Sequence, residues 1–165
     1  NSVKLEWLKE INESTDKIVV FCCFLDSIER LRNNFKNSYV LTGAVPVQNR
    51  VDLIDRFNHE EKSILFMTDA GRFGLNITGA HNVVHFGYFY NPATMLQRED
   101  RLHRIGQENT VNVLNPYILD TIDEGIRKIF LARRDDANAF MEGSEKMSLA
   151  KLSKSDYEKL VFGGR

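Results

Sequence analysis

Gln97, Arg101 and Arg104 are four and three residues apart in the stretch from Asn91 to Gln107. On a helix of 3.6 residues per turn they fall within roughly 60° of arc. Such a face offers two permanently charged planar forks and an amide, a set suited to holding phosphate oxygens two at a time. A purely structural reading stands beside it, since Arg and His in the last turn of a helix also meet the negative end of its dipole favourably. The helix is signalled at both ends. Asn91 can cap through its side-chain oxygen, Pro92 gives up no needed N–H at the first helical position, and Gly106 suits a left-handed exit. Met95 and Leu102 point away from the ridge, so one edge of the helix is anchored on a core while the other presents its charges.

A second candidate lies earlier. Ser63 to Met67 reads as a buried strand and runs into Thr68-Asp69-Ala70-Gly71-Arg72-Phe73-Gly74-Leu75-Asn76. A glycine-rich loop at the carboxyl end of a strand is where open parallel sheets place ligands, and its glycines let backbone approach a phosphate closely. A third is Thr42-Gly43, which by itself reads more readily as a plain turn. What the chain lacks is as informative. No G-x-x-x-x-G-K-[ST] phosphate loop is present: Gly74 and Gly79 have the glycine spacing, but Ala80 and His81 follow where Lys and Ser or Thr are required. No apolar strand ends in an acidic pair suited to magnesium; Asp123-Glu124 begins a helix. G-x-G-x-x-G is missing after the first strand, which argues against a free-standing dinucleotide enzyme.

The elements that must position these groups follow from hydrophobic periodicity. Val3, Leu5, Leu8 and Ile11, with Trp7, predict an opening helix. Ile18 to Phe24 predicts a strand buried on both faces, with Asp26-Ser27 as the cap of a helix whose inner edge is Ile28, Leu31 and Phe35. Tyr39 to Leu41 predicts a short strand, followed by a helix with inner edge Val47, Val51, Ile54 and Phe57. Further strands are expected at Asn82 to Phe86 and Val111 to Leu114. A helix is expected from Thr121 to Phe140, opened by a capping box at Thr121-Ile122-Asp123-Glu124. The alternation predicts an α/β fold, a three-layer domain with a mostly parallel sheet flanked by helices. The expected organisation is one lobe over residues 1–140 and a looser extension over 141–165, with a short helix between Ser155 and Phe162.

With 165 residues the chain fits one domain with a real core. Its 42% hydrophobic and 27% charged residues are ordinary for a globular protein. No membrane span or targeting pattern is visible, so the chain reads as cytoplasmic, or nuclear if eukaryotic. The adjacent Cys22 and Cys23 read as small hydrophobes, and His81 and His85 lack the companions a zinc site needs. A net charge of −1 does not advertise nucleic-acid binding through bulk electrostatics, so any such contact must come from local groups.

The eleven residues from Gln97 to Gln107 resemble the last conserved motif of superfamily-two helicases. The closing Arg104-Ile105-Gly106-Gln107 resembles that of the Swi/Snf-type branch, the DNA translocases that include chromatin remodellers and repair motors. Residues 3–140 as a whole are similar to the second, C-terminal RecA-like lobe of such motors. Lys4-Leu5-Glu6-Trp7-Leu8 resembles the lead-in, and Arg50 with Arg56-Phe57-Asn58 the helix that follows Leu-x-Gly. Two departures stand out. Many Swi/Snf-like proteins have two consecutive glycines where this chain has Gly71-Arg72, and an acidic residue and Trp before Asn-Pro where it has Phe86-Gly87-Tyr88-Phe89-Tyr90.

The resemblance implies that Arg104 is an arginine finger on the γ-phosphate, Arg101 its partner on the phosphates, and Gln97 a hydrogen-bonding organiser of the helix. It implies that Gly74 and Asn76 lie towards ATP, while Thr42, Gly43 and Thr68 meet the nucleic-acid backbone. Arg72 either adds a backbone contact or marks a divergent branch. ATP and Mg2+ belong on this reading to a complete two-lobed protein and are not bound by this fragment alone; no metal ligand is assigned. The implied partners are duplex DNA and an N-terminal RecA-like lobe of the same protein, against which the extension would fold, and no membrane. An RNA helicase lobe and a non-catalytic interaction module that keeps the fold are the alternatives. Asn1 in place of an initiating methionine suggests a fragment boundary.

Overall fold

The computed structural model describes residues 2–69, 77, 79–87, 95, 98 and 111–141. Among them lie helices α1 (Val3–Ser14), α2 (Leu25–Arg32), α3 (Val47–His59) and α4 (Ile122–Met141). The strands are β1 (Lys17–Phe21), β2 (Ser38–Leu41), β3 (Ser63–Met67), β4 (Asn82–His85) and β5 (Asn112–Leu114). The chain divides into two compact units, one within Asn1–Gly87 and Leu96–Pro116, the other within Tyr88–Met95 and Tyr117–Arg165.

The first unit holds the sheet, whose order is β2-β3-β1-β4-β5 with every pair parallel. Val19 stands opposite Leu65 on one side and Val83 on the other. Successive side chains in a strand point to opposite faces, and the core divides accordingly. Val19, Phe21, Leu65, Met67 and Val83 pack with Ile54 and Phe57 of α3. Ile18, Val20, Ile64, Phe66 and Val84 pack with Leu8 of α1 and with Ile28, Leu31 and Phe35 from and just beyond α2. The sheet therefore has helices on both faces, the three-layer α/β arrangement expected.

Handedness accounts for which face each connection uses. From β1 the chain moves past β3 to the edge strand β2; from β2 to β3 and from β3 to β4 it moves the opposite way. Right-handed crossovers in opposite directions must use opposite faces. α2 accordingly joins one core, while α3, Ile77 and Ala80 join the other. The connections from β1 and β3 thus leave in opposite senses, which opens a crevice over the carboxyl ends of these neighbouring strands.

Several sequence expectations are corrected. β1 ends at Phe21, where its partner β3 ends, and Phe24 is 71% exposed, outside the strand. Asp26 and Ser27 lie within the first turn of α2; the cap position is Phe24, with no side-chain bond, and Asp26 sits near the positive helix end. Val47 and Val51 are exposed although their angular position on α3 is close to that of Ile54. The face that α3 buries is centred instead on Arg50, Leu53, Ile54 and Phe57, which leaves Val47 and Val51 at its margin. Phe86 follows β4 and packs on the α1–α2 core, and Lys4 sits over its ring at 5.9 Å.

In the second unit Thr121 caps α4 with a shifted bonding pattern. Its Oγ1 accepts from the Asp123 N–H at 3.3 Å, and the Glu124 carboxylate accepts from the Asp120 N–H at 3.1 Å. A hydrogen bond from Lys128, followed by that from the Asp120 N–H, holds the Glu124 carboxyl below its ordinary range. Apart from Met141, the expected extension lies outside the described residues. Among the described residues no helix is long and apolar enough to cross a membrane.

Asn58, at the end of the Arg-Phe-Asn run, ties three segments of the first unit together. Its Oδ1 accepts from the Gly79 N–H at 3.1 Å, and its carbonyl accepts from Lys17 Nζ at 2.6 Å. Gly79 approaches so closely that a Cβ there would stand 3.0 Å from Asn58 Cα. Gly79→Ala is therefore expected to lower stability by about 1–3 kcal/mol through backbone overpacking, and Asn58→Ala by about 1–3 kcal/mol through an orphaned N–H. Urea unfolding followed by circular dichroism would measure both.

Candidate nucleotide and nucleic-acid site

Because all five strands are parallel, the segments that follow them emerge at one edge of the sheet. Thr42-Gly43 follow β2, Cys22-Cys23 follow β1, Thr68-Asp69 follow β3 and Phe86-Gly87 follow β4. Thr42 is buried and Gly43 exposed. The Thr42 carbonyl accepts from the Val45 N–H at 3.1 Å and its hydroxyl from the Ala44 N–H at 3.4 Å. Arg50 Nε then donates to the Val45 carbonyl at 2.9 Å, so the arginine of the following helix closes the turn. What this turn offers outward is backbone at Gly43. Thr68, half-buried, extends the ladder by donating its N–H to the Leu41 carbonyl at 3.2 Å.

Arg72, Gly74, Asn76, Gln97, Arg101 and Arg104 lie outside the described residues, as do Asn91, Pro92, Leu102 and Gly106. Met95 and Arg98 are described; both are helical, as the sequence predicts there, and both are buried.

Arg98 is the residue that spacing alone did not single out. Its side chain is 2% exposed, and its guanidinium gathers the ends of three adjacent strands. Nε donates to Asp69 Oδ1 at 2.6 Å just beyond β3. The guanidinium lies 4.8 Å from the ring centroid of Phe21 at the end of β1, and NH1 is 3.4 Å from Nδ1 of His85 at the end of β4. A guanidinium only donates, so that last bond requires Nδ1 unprotonated. His85 in turn stacks on Phe21 with ring centroids 5.5 Å apart. A signal was available in the sequence: Arg98 follows Met95 by three residues, which places it on the helix's inward side.

The same charge reaches the cysteines, neither of which is in a disulfide. Burial pushes the Cys22 thiol up to about 12; Cys23 beside it adds to this, and Arg98 opposes it. Burial also raises Cys23, with Arg98 again pulling down, Asp69 up and Lys4 down. The Cys23 sulfur is packed so that a Cβ on Gly87 would stand 3.1 Å from it.

Residues 3–106 match the family described as the helicase conserved C-terminal domain. The chain belongs to that family. Its relatives place this C-terminal helicase lobe in the Swi/Snf-type branch of superfamily two. It is 39% identical over 130 residues to the ATP-dependent helicase fft2 of Schizosaccharomyces pombe, covering 75% of this chain and 10% of that protein. It is 36% identical over 128 residues to a SWI/SNF-related regulator of chromatin, subfamily A containing DEAD/H box 1, of Xenopus tropicalis, covering 74% and 13%. The lobe thus spans about a tenth to a sixth of the length of the curated relatives it matches. Its fold is similar to the C-terminal part of the Fun30 ATPase domain, with TM-score 0.68 and 28% identity over 95% of this chain and 49% of that one. It is equally similar to the Sulfolobus solfataricus SWI2/SNF2 ATPase core domain, with TM-score 0.68 and 26% identity over 96% and 33%. The RecA-like fold expected of the lobe is thereby shown.

The Cys22 shift gives a stability prediction with a definite sign. Unfolded, the thiol ionises near its ordinary value of 9.0; folded, it keeps its proton to about 12. Between these limits the native state binds more protons, so stability falls as pH rises, by up to about 1.4 kcal/mol per pH unit from this group. Below pH 9 the effect vanishes. Urea unfolding of the lobe and of Cys22→Ala between pH 8 and 11 should show a shallower decline in the variant.

Proposed function

We propose that this lobe is the second half of an ATP-dependent DNA translocase. It would supply the arginine finger and part of the grip on the DNA backbone, while a companion lobe supplies the phosphate loop and the magnesium-binding acids. The observation that supports this most is the ion pair of Asp69 with Arg98. It holds the segment after Thr68 against the segment carrying Gln97, Arg101 and Arg104. The donor set fits its assigned substrate: two guanidiniums and an amide suit phosphate oxygens, not a cation. Magnesium would therefore be held by groups of the companion lobe. The exposed apolar side chains Phe24, Leu25 and Val47, at helix starts on the carboxyl edge, are consistent with a partner on that side.

In this reading Arg104 meets the charge that develops on the γ-phosphoryl group, Arg101 holds the phosphates and Gln97 orders the helix between them. Gly74 and Asn76 approach the nucleotide. Thr42, Gly43 and Thr68, with Arg72 beside them, meet the backbone of duplex DNA. Closure of the two lobes on ATP and their opening after hydrolysis would then shift one grip relative to the other along the DNA. Residues 141–165 would fold across the companion lobe, and a eukaryotic protein of this kind would work in the nucleus.

An arginine finger contributes about 10³ to 10⁵ in rate only when the other parts of the site are present. The isolated lobe is therefore expected to turn over ATP negligibly. The two-lobed protein is expected to be stimulated by duplex DNA and to lose about 10³ in turnover on Arg104→Ala. Steady-state ATPase rates with duplex DNA, single-stranded DNA or RNA would check this. Stimulation by RNA alone would assign the lobe to an RNA helicase, and an undiminished Arg104→Ala would favour an interaction module.

A further inference from the structure

Arg98 cannot itself meet a ligand, for its side chain is 2% exposed and its fork is turned to Asp69, Phe21 and His85. Its neighbours in sequence nonetheless belong to the proposed nucleotide site: it directly follows Gln97, assigned to order the helix, and precedes Arg101, assigned to the phosphates, by three. At the other end of the ion pair, Asp69 directly follows Thr68, the residue assigned to the nucleic-acid backbone. We infer that Arg98 is a positioning residue that couples DNA engagement at Thr68 to the setting of Arg101, and of Gln97 beside it, in the nucleotide site. The inference rests on the proposed function.

Three features suit this pair to transmit a displacement. The guanidinium stays ionised, so it cannot escape a move of Asp69 by losing its proton. Its motion is confined, with the Phe21 ring 4.8 Å from it and His85 Nδ1 at 3.4 Å from NH1, while the bond to Asp69 is short at 2.6 Å. Finally, the Asp69 side chain is 29% exposed against 2% for Arg98. The link therefore has a solvent-facing end, where a bound backbone can act, and a buried end, where the arginine segment is held.

The test uses the two-lobed protein with saturating duplex DNA and compares wild type, Arg98→Met, Arg98→Lys and Arg98→Met/Asp69→Asn. Met keeps an unbranched stem beside Phe21 and removes the fork; Lys keeps the charge without the fork. The expected result is a loss of about tenfold in DNA-stimulated kcat for Arg98→Met. KM for ATP and Kd for the duplex should stay within about threefold of wild type, Lys should restore part of the rate, and the double variant should be no slower than the single. Full stimulated kcat in Arg98→Met would overturn the inference. So would a loss that is equal with and without DNA, or one that disappears when the assay is cooled well below the variant's Tm, because either marks a merely structural role. Wild type that duplex DNA fails to stimulate would remove the functional reading and the inference with it, and that outcome is read before any variant is made.

Discussion

A guanidinium enclosed at the carboxyl edge of a parallel sheet is the constraint around which the described part of this lobe is arranged. Arginine stays ionised at any ordinary pH, so its burial must be compensated by geometry. Asp69 supplies the charge, Phe21 a ring face and His85 an acceptor nitrogen. These three residues come from the ends of β3, β1 and β4, which are neighbours in the sheet. Strand order and arginine environment thus require one another: the site of the cation exists only because β3 was inserted beside β1 after the chain had first gone out to β2.

The sheet can hold that arrangement because it is covered on both faces. β1 and β3 are buried along almost their whole length and are bonded on both edges, which makes them the part of the lobe with least freedom to open locally. The edge above them is different in kind. There the backbone turns at Thr42 and leaves the strands at Thr68, and helix starts expose Phe24, Leu25 and Val47. A rigid floor with a variable rim is the usual division between scaffold and site in open α/β sheets.

Much of this was legible from residue pattern. The expected strand Ser63 to Met67 has its observed bounds, because the four-residue apolar run Ile64 to Met67 between polar flanks admits little else. The elements on either side were found where periodicity put them, with errors at the ends. β1 was read three residues too long, since Cys22, Cys23 and Phe24 continue the apolar composition after the pairing partner has stopped. Val47 and Val51 share the apolar phase of Ile54, but the face that α3 buries is centred nearer Leu53 and Phe57. Local spacing passes over Arg98 as well. Counting along the helix identified the ridge of Gln97, Arg101 and Arg104, but the partner that explains Arg98 is 29 residues away in sequence, on another element. Local spacing cannot see such a pair. It can only register that a charge stands in the inward register of Met95.

The pairing of Arg98 with Asp69 changes how the motif is understood. The Gln-Arg-Glu-Asp-Arg-Leu-His-Arg string looks uniformly charged, and uniform charge suggests that every arginine faces a phosphate. The burial of Arg98 contradicts that for at least one of them. One arginine is committed to the protein's own carboxylate before any ligand arrives, and a committed charge cannot also neutralise a phosphate. What it can do is fix the orientation of its neighbours, since a segment pinned at one residue by an ion pair, a ring face and a third contact has little freedom at the residues on either side. Catalytic charge is worth most when it requires no reorganisation at the moment of reaction. On that argument the arginine that never meets substrate sets how well the others can, and Asp69, partly exposed beside Thr68, is where the rest of a complete motor would gain access to that setting.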